Sequence, residues 1–432
     1  MKGGVSPQLR IPLKLMGKDE ELNDLSENDT SPSDDFEKSI GKLYKASSLR
    51  GVRILQLNFM TPKGWSPSKV KNVLFTTVML VAAGYSLAFT TYSIFDVAHS
   101  SMRIASKLLL IAWAIQALVS LAFLIYWQFS GQLQSFHKRV IECQYAKGLF
   151  GGRKLILRNV FSFFMIIFVE VSIIAMYNIS YYTGSAQSEF MLTRQVKMFY
   201  FPELYFMNSF ITLYTYIAWN ITIFIYIMYT DAVYLEMKHF NENLEELDGT
   251  TSDLETTLLI QMEMYGRISD AIRELDRIFR LYAFIMLAII IPSVILTLMM
   301  LNQRIHGFKD LMICLPSIAL SAYSFLAITI APARLHDEVN RSRVCLIRNA
   351  SIWFPYRKKV FIISQTFSSH MEQYDLGISI WGFAILSRPL ILGTFSVMAM
   401  VLSVIIELTP RPPPLIEVIN CTSVADTASL RS

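Results

Sequence analysis

Glu170, Arg388 and Glu407 lie inside or at the rim of long apolar runs, where ionisable groups are costly and face protein or water rather than lipid. Arg388, followed by Pro389, and Glu407 bracket the last apolar run; at ~1.5 Å per residue their separation corresponds to about 28 Å of helix, close to the thickness of a bilayer core. Between them Gly393, Ser396, Met400, Ser403 and Glu407 recur at steps of three and four, so they fall on one stripe of a helix. Bulky Leu392, Val397, Val401, Leu402 and Ile405 lie mostly elsewhere. Small and hydroxyl-bearing side chains around a shared axis suit a narrow water-filled path, with Met400 as an apolar constriction. The same residues also suit close helix packing, with Glu407 in headgroup water. Arg388 fits the inner membrane surface, where its stem can lie along apolar chains and its head reach water, and Pro389 suits a first helical turn.

The elements that carry these residues follow from composition. The chain has 432 residues, 53% of them hydrophobic and 17% charged, with a mean hydropathy of +0.40. A soluble chain of this length would expose too much apolar surface, which leaves a polytopic membrane protein. Seven apolar runs of helix-spanning length follow one another: Val73–Phe95, Ala105–Phe129, Leu157–Tyr177, Phe201–Tyr229, Leu281–Leu301, Leu311–Ile330 and Ile378–Leu408. The first begins too late for a cleavable signal peptide, so it is expected to serve as the targeting signal as well.

Charge sets the orientation. Residues 1–71, 130–154, 230–280 and 333–377 together carry 29 Lys and Arg, against 7 in 96–104, 178–200, 302–310 and 409–432. The positive-inside rule then places the N-terminus in the cytoplasm and the C-terminus outside, and explains the formal net charge of +5 without an acidic partner. Sequons at Asn178 and Asn420 fall on the outer side. The expected fold is thus all-α, with a cytoplasmic tail over 1–71, a seven-helix transmembrane domain over 72–408, and a short extracellular tail over 409–432. Within the tail, residues 18–38 are acidic and poor in apolar residues, a composition that cannot build a core, and from Lys38 the tail turns basic as it nears the membrane. This topology is the reverse of a G-protein-coupled receptor.

Two cytoplasmic segments, 231–280 and 333–377, read as helical extensions of the spans. In the first, Leu258, Met262, Tyr265, Ile268, Ile272, Leu275, Ile278 and Phe279 make one apolar face, while Arg273, Glu274, Asp276 and Arg277 occupy the other. Gly249-Thr250-Thr251 breaks this helix from the one before. The apolar face fits either a solvated amphipathic hairpin or packing against a neighbouring subunit. Lys359–Asp375 poses the same choice.

The run FIISQTFSSHMEQYDLGISIWGFAILSRPLILGTFSVMAMVLSVIIEL resembles the C-terminal signature of the invertebrate gustatory and odorant receptor superfamily. Gly382-Phe383 and Ser387-Arg388 match its early part. Glu407-Leu408 stands where Gln-Phe is usual, and Met400-Val401 replaces a Thr-Tyr pair, which suggests a divergent, nematode-type branch. YGRISDAIRELDRIFRLYAF resembles the family's loop entering the fifth helix. The resemblance implies a tetrameric, ligand-gated cation channel of the plasma membrane whose last helices line the pore. Four copies of Glu407 would then ring its outer mouth. The resemblance also implies a small-molecule or other sensory stimulus.

A ligand site among the outer halves of the other helices would draw on Trp113, Gln116, Glu170, Tyr177, Tyr205 and Asn208, a mixture of aromatic and polar groups. Aromatic residues also gather at membrane interfaces for lipid reasons. Glu170 stands apart, because an acid within a span needs a partner or a cavity. No catalytic or metal-binding pattern is present: the six histidines are scattered and the four cysteines lack metal spacing. No cofactor is expected. A receptor signalling through G proteins is the alternative function, and a transporter is disfavoured because no internal repeat is visible.

Overall fold

The structure, a computed structural model, describes residues 67–92, 101–133, 135–136, 153–183, 205–249, 253–304, 308–372 and 376–408. The first 66 residues and those after Leu408, the Asn420 sequon with them, lie outside this range, whereas Asn178 falls within a described helix. Among the described residues seven long helices form the body: α1 (Pro67–Tyr92), α2 (Ser101–Phe129), α3 (Arg153–Thr183), α4 (Tyr205–Glu245), α5 (Leu254–Arg304), α6 (Phe308–Arg348) and, after two short helices, α9 (Arg388–Leu408). The short ones are α7 (Ala350–Trp353) and α8 (Lys358–Met371).

Six of these, α1, α2, α4, α5, α6 and α9, are long and apolar enough to cross a membrane, and the expected third crossing, 157–177, lies within α3. The protein is an all-α, polytopic membrane protein. Helices α4, α5 and α6 have 41, 51 and 41 residues, roughly twice the ~20 that a bilayer requires, so each continues well beyond one membrane face. The apolar part of α4 ends near Tyr229, and that of α5 starts near Leu281.

In lipid, helices associate through shape and polar bonds rather than through the exclusion of water. Here the contact is aromatic. Trp127 of α2 meets Phe279 and Tyr282 of α5 edge-on at 4.8 and 5.2 Å, and Tyr226 of α4 meets Phe279 at 5.2 Å. Trp127, Tyr226, Phe279 and Tyr282 are each almost wholly buried. The Tyr226 hydroxyl donates to the Ile328 carbonyl of α6 at 3.1 Å, which satisfies its polar end. Hydroxyls within the spans bond back along their own helices, as Thr222 does to Ala218 and Thr297 to Ser293, which satisfies these donors where water is absent.

Beyond the membrane the extensions of α4, α5 and α6 join α8 in a second, water-side core. Leu258, Tyr265, Ile268, Ile272, Leu275, Ile278 and Phe279 are buried within this one chain. Their apolar face is thus covered by α4 and α8 and is neither solvated nor left for another subunit. Phe240, Tyr265 and Phe367 form its aromatic centre, with ring centroids 5.7–6.4 Å apart. In α8, Val360, Ser364, Phe367, Ser368 and Met371 are the buried residues, one helical face. Asn241 donates to the backbone and carboxylate of Glu338, and Arg341 to Glu245, tying α4 to α6. Of the four residues placed on the polar face of α5, Glu274 is buried and paired with Arg277, so that face is not wholly solvent.

The last span differs from its expected start. Residues 378–386 are not helical: Ser379–Ile380 pairs antiparallel with Ala384–Ile385, and α9 begins only at Arg388. The turn between the strands is Trp381-Gly382, closed by Phe383 N–H donating to Ile380 at 2.9 Å. Both central residues have positive φ, +50° and +81°, the requirement of the mirror-image turns that suit hairpins. Apolar content alone cannot distinguish such a hairpin from a helical turn.

Candidate functional site

Helix α9 is set into the molecule at one end and along one side. Ser387 precedes it, Arg388 opens it, and Pro389 follows where a backbone N–H has no helical partner anyway. A cation at a helix N-terminus opposes the helix dipole. Asp337 of α6 forms an ion pair with Arg388 and offsets that cost.

Along its length α9 has one fully buried residue, Met398. Leu390, Ile391, Thr394, Val401, Leu402, Ile405 and Ile406 are half-buried around it, and Phe395 meets Phe325 of α6 at 4.9 Å. Gly393, Ser396, Met400, Ser403 and Glu407 are all exposed, Met400 by 62%. At about 100° of rotation per residue, Glu407 lies roughly 180° from Met398 around the helix. The stripe of small and hydroxyl residues therefore points directly away from the subunit's own bundle. Leu392 and Val397 are exposed with it and flank it. The Ser396 and Ser403 hydroxyls donate to the carbonyls of Leu392 and Ala399, both at 3.0 Å, and keep their lone pairs outward. Among the described residues no ion pair reaches Glu407, which is exposed at the far end of the stripe.

The candidate ligand residues are less united. Trp113 and Gln116 are buried on α2, and Gln116 donates to the Ser293 hydroxyl of α5 at 3.1 Å. Glu170 of α3 is fully buried and accepts a bond from the Asn220 amide of α4 at 2.5 Å. These are two separate polar contacts, α2 to α5 and α3 to α4. Among the described residues, acceptors in both are left without a hydrogen-bond partner: Gln116 Oε1 in the first, Glu170 Oε2 and Asn220 Oδ1 in the second. The side chains of Tyr177, Tyr205 and Asn208 lie outside the described residues, although all three positions are helical.

Sequence reasoning passed over Asn220, Ser293, Ser120 and Tyr282. Ser120 and Tyr282 share a hydrogen bond of 3.2 Å between α2 and α5, one turn from the Gln116 contact. An amide within an apolar run, like the acid of Glu170, was the available signal for Asn220. Nothing in the spacing singled out the hydroxyls from others that bond only to their own helix.

At the water-side end a groove of about 530 Å³ opens between α6, α7 and α8, lined by Arg343, Arg348, Trp353, Phe354, Ser368 and Glu372. The Arg343 guanidinium is engaged by Glu372 at 2.6 Å. Among the described residues no cluster of three or more His, Cys, Asp or Glu could hold a metal ion. The chief feature of the arrangement is the polar-edged face of α9, turned outward from the bundle.

No protein-family model matches the sequence, and no curated protein matches it. Among solved structures, the insect olfactory receptor OR5 from Machilis hrabei superposes with a TM-score of 0.59, covering 88% of this chain and 100% of that one at 10% identity. The same receptor in complex with eugenol gives 0.58, with the same coverage and identity. At that identity the likeness is one of fold. The chain has the fold of the insect olfactory receptors.

Proposed function

We propose that this protein is a chemosensory receptor of the plasma membrane that is itself a ligand-gated cation channel, assembled as a tetramer with α9 of each subunit at the central axis. The observation that carries the reading is the face of α9. A helix whose Gly393, Ser396, Met400, Ser403 and Glu407 stripe turns away from its own bundle, and which keeps one buried residue, needs something else to meet that side. Around a shared axis the stripe gives hydroxyl-lined water, a Met400 constriction and a Glu407 ring that concentrates cations at the mouth. Lipid would meet the same face without using its polar groups. The shared fold and the C-terminal motif support the same assignment, with the N-terminus cytoplasmic and the C-terminus outside.

The stimulus is a small molecule held among the outer halves of α2, α3 and α4. The solved relative's complex with eugenol supports that class. Trp113, Gln116, Glu170, Tyr177, Tyr205 and Asn208 are the proposed contacts, and the unpartnered oxygens of Gln116 and Glu170 supply acceptors for a ligand donor. Membrane lipid surrounds the assembly and cations are the transported species.

Patch clamp of the protein in cells whose G-protein signalling is blocked tests the channel directly. An evoked cation current supports it, and a stimulus response that disappears with G-protein block overturns it. Epitope tags at the two termini test the orientation: staining of an N-terminal tag in intact cells would reverse it.

A further inference from the structure

Helix α9 is held loosely along its length but firmly at its start, and the firm part is the hairpin of residues 378–386. The carboxylate of Asp276 on α5 accepts both the backbone N–H and the hydroxyl proton of Ser379, at 2.6 and 2.8 Å, on one oxygen. The same Ser379 hydroxyl oxygen accepts the N–H of Gly382 at 3.1 Å, so one acid fixes both the first strand and its turn. Two turns along α5, Phe284 meets the ring of Trp381 at 5.0 Å. On the α6 side, Asp337 pairs with Arg388, and the neighbouring His336 ring contacts the Leu376 carbonyl at 3.3 Å. Other charges on this part of α5 are satisfied along the helix itself, Asp270 by Arg273 and Glu274 by Arg277. Asp276 is directed instead to the hairpin.

The same helix reaches the polar contacts inside the bundle. Tyr282 and Ser293 of α5 bond Ser120 and Gln116 of α2. From Asp276 to Ser293 is about 26 Å of continuous helix at ~1.5 Å per residue, so a translation of α5 at one end is delivered at the other. We propose that the 378–386 hairpin is a rigid lever that sets the position of α9, with Asp276 as the positioning residue that couples it to α5 and Asp337 as its counterpart on α6. The proposal rests on the reading of α9 as the pore helix for its functional meaning, but not for its test.

That test is hydrogen exchange by mass spectrometry on the purified full-length protein in nanodiscs, following peptides that cover 376–395 and control peptides in α2 and α4. Loss of two charge-assisted bonds in Asp276→Ala is expected to speed exchange in the hairpin and in the first turns of α9 by about ten- to a hundredfold, with the controls unchanged. Asp276→Asn, which keeps an acceptor without the charge, is expected to fall between. Asp337→Arg is expected to loosen the start of α9, and Arg388→Asp added to it to restore protection. Exchange that is unchanged, that accelerates in the hairpin but not in α9, or that accelerates across α2 and α4 as well would overturn the lever. A lever that fails here leaves the channel reading standing, since exchange is indifferent to whether α9 meets water. A channel that fails by electrophysiology leaves the exchange result standing.

Discussion

Replacing Arg334 by Met should expose how much of one rim of the bundle depends on a single charge pair largely shielded from water. Arg334 of α6 donates to Asp231 of α4 at 3.1 Å, and the Asn159 amide of α3 donates to the other Asp231 oxygen at 2.6 Å. Three helices therefore meet on one carboxylate. The Asp231 side chain is 4% exposed and that of Arg334 22%, so solvent screens the pair weakly. The guanidinium also sits 4.6 Å from the centroid of the Tyr234 ring. At an effective dielectric near 20, two charges about 3 Å apart attract by about 5 kcal/mol, most of which offsets their desolvation. Removing only the cation leaves the desolvation of Asp231 uncompensated, at a cost of about 3–5 kcal/mol. Arg334→Met keeps the length of the stem, so the loss is chiefly electrostatic. Asp231→Asn added to it removes the stranded charge while retaining a group for Asn159, and should recover at least about half of the loss, a coupling of about 2 kcal/mol. Equilibrium unfolding of the purified protein in mixed micelles, with the two single variants and the double, measures that coupling. A cost below about 1 kcal/mol for Arg334→Met, or a double variant no better than the single, would refute the reasoning.

Glu407→Lys should reduce cation current or shift selectivity toward anions, measured as the reversal potential under a salt gradient; unchanged permeation removes Glu407 from the conduction path. Gly377→Ala should weaken the hairpin by about 1–3 kcal/mol, because its added Cβ would lie 2.6 Å from the Ile385 side chain at a φ of +156°; an unaltered unfolding midpoint would show that the neighbours yield freely. Burial and the Glu245 carboxylate push the Cys345 thiol up to about 12, so it should resist alkylation at pH 8 until the protein unfolds, read by mass spectrometry with the other cysteines as internal standards. Bonds from Cys345 and Arg341 hold the Glu245 carboxyl below its ordinary value. Its stabilisation is therefore present at neutral pH and lost as pH falls from the ordinary carboxylate range through the lowered value, and Glu245→Gln should flatten that acid limb of a stability profile.

Much of this architecture is legible in the residues. Long apolar runs located the spans because lipid leaves a helix no alternative way to satisfy its backbone. The three- and four-residue steps from Leu258 to Phe279 located the buried face of α5, yet could not name what covers it. That depends on α8, a 14-residue helix whose own pattern is equally consistent with a surface role. Residues 378–386 went unrecognised as a hairpin because Ile378, Ile380, Ala384 and Ile385 continue the apolar run into α9. The turn that separates them is set by the backbone at Trp381 and Gly382, and tryptophan carries no signal for positive φ. In α9 the stripe from Gly393 to Glu407 could be drawn from spacing alone, but its direction could not. A helical wheel has no outside until one knows that Met398 faces the bundle. Partners at a distance were the least visible. Asp276 reads as one more charge on a polar face, and only the fold brings Ser379, 103 positions later, beneath it.

The most direct measurement is an experimental image of the assembly: single-particle electron microscopy of the full-length protein purified in lipid nanodiscs. Four copies around one axis, with Ser396, Met400, Ser403 and Glu407 of each α9 turned toward a central path, is the predicted arrangement. A monomer, or an oligomer in which that face of α9 meets lipid and the axis is lined by another helix, would contradict it.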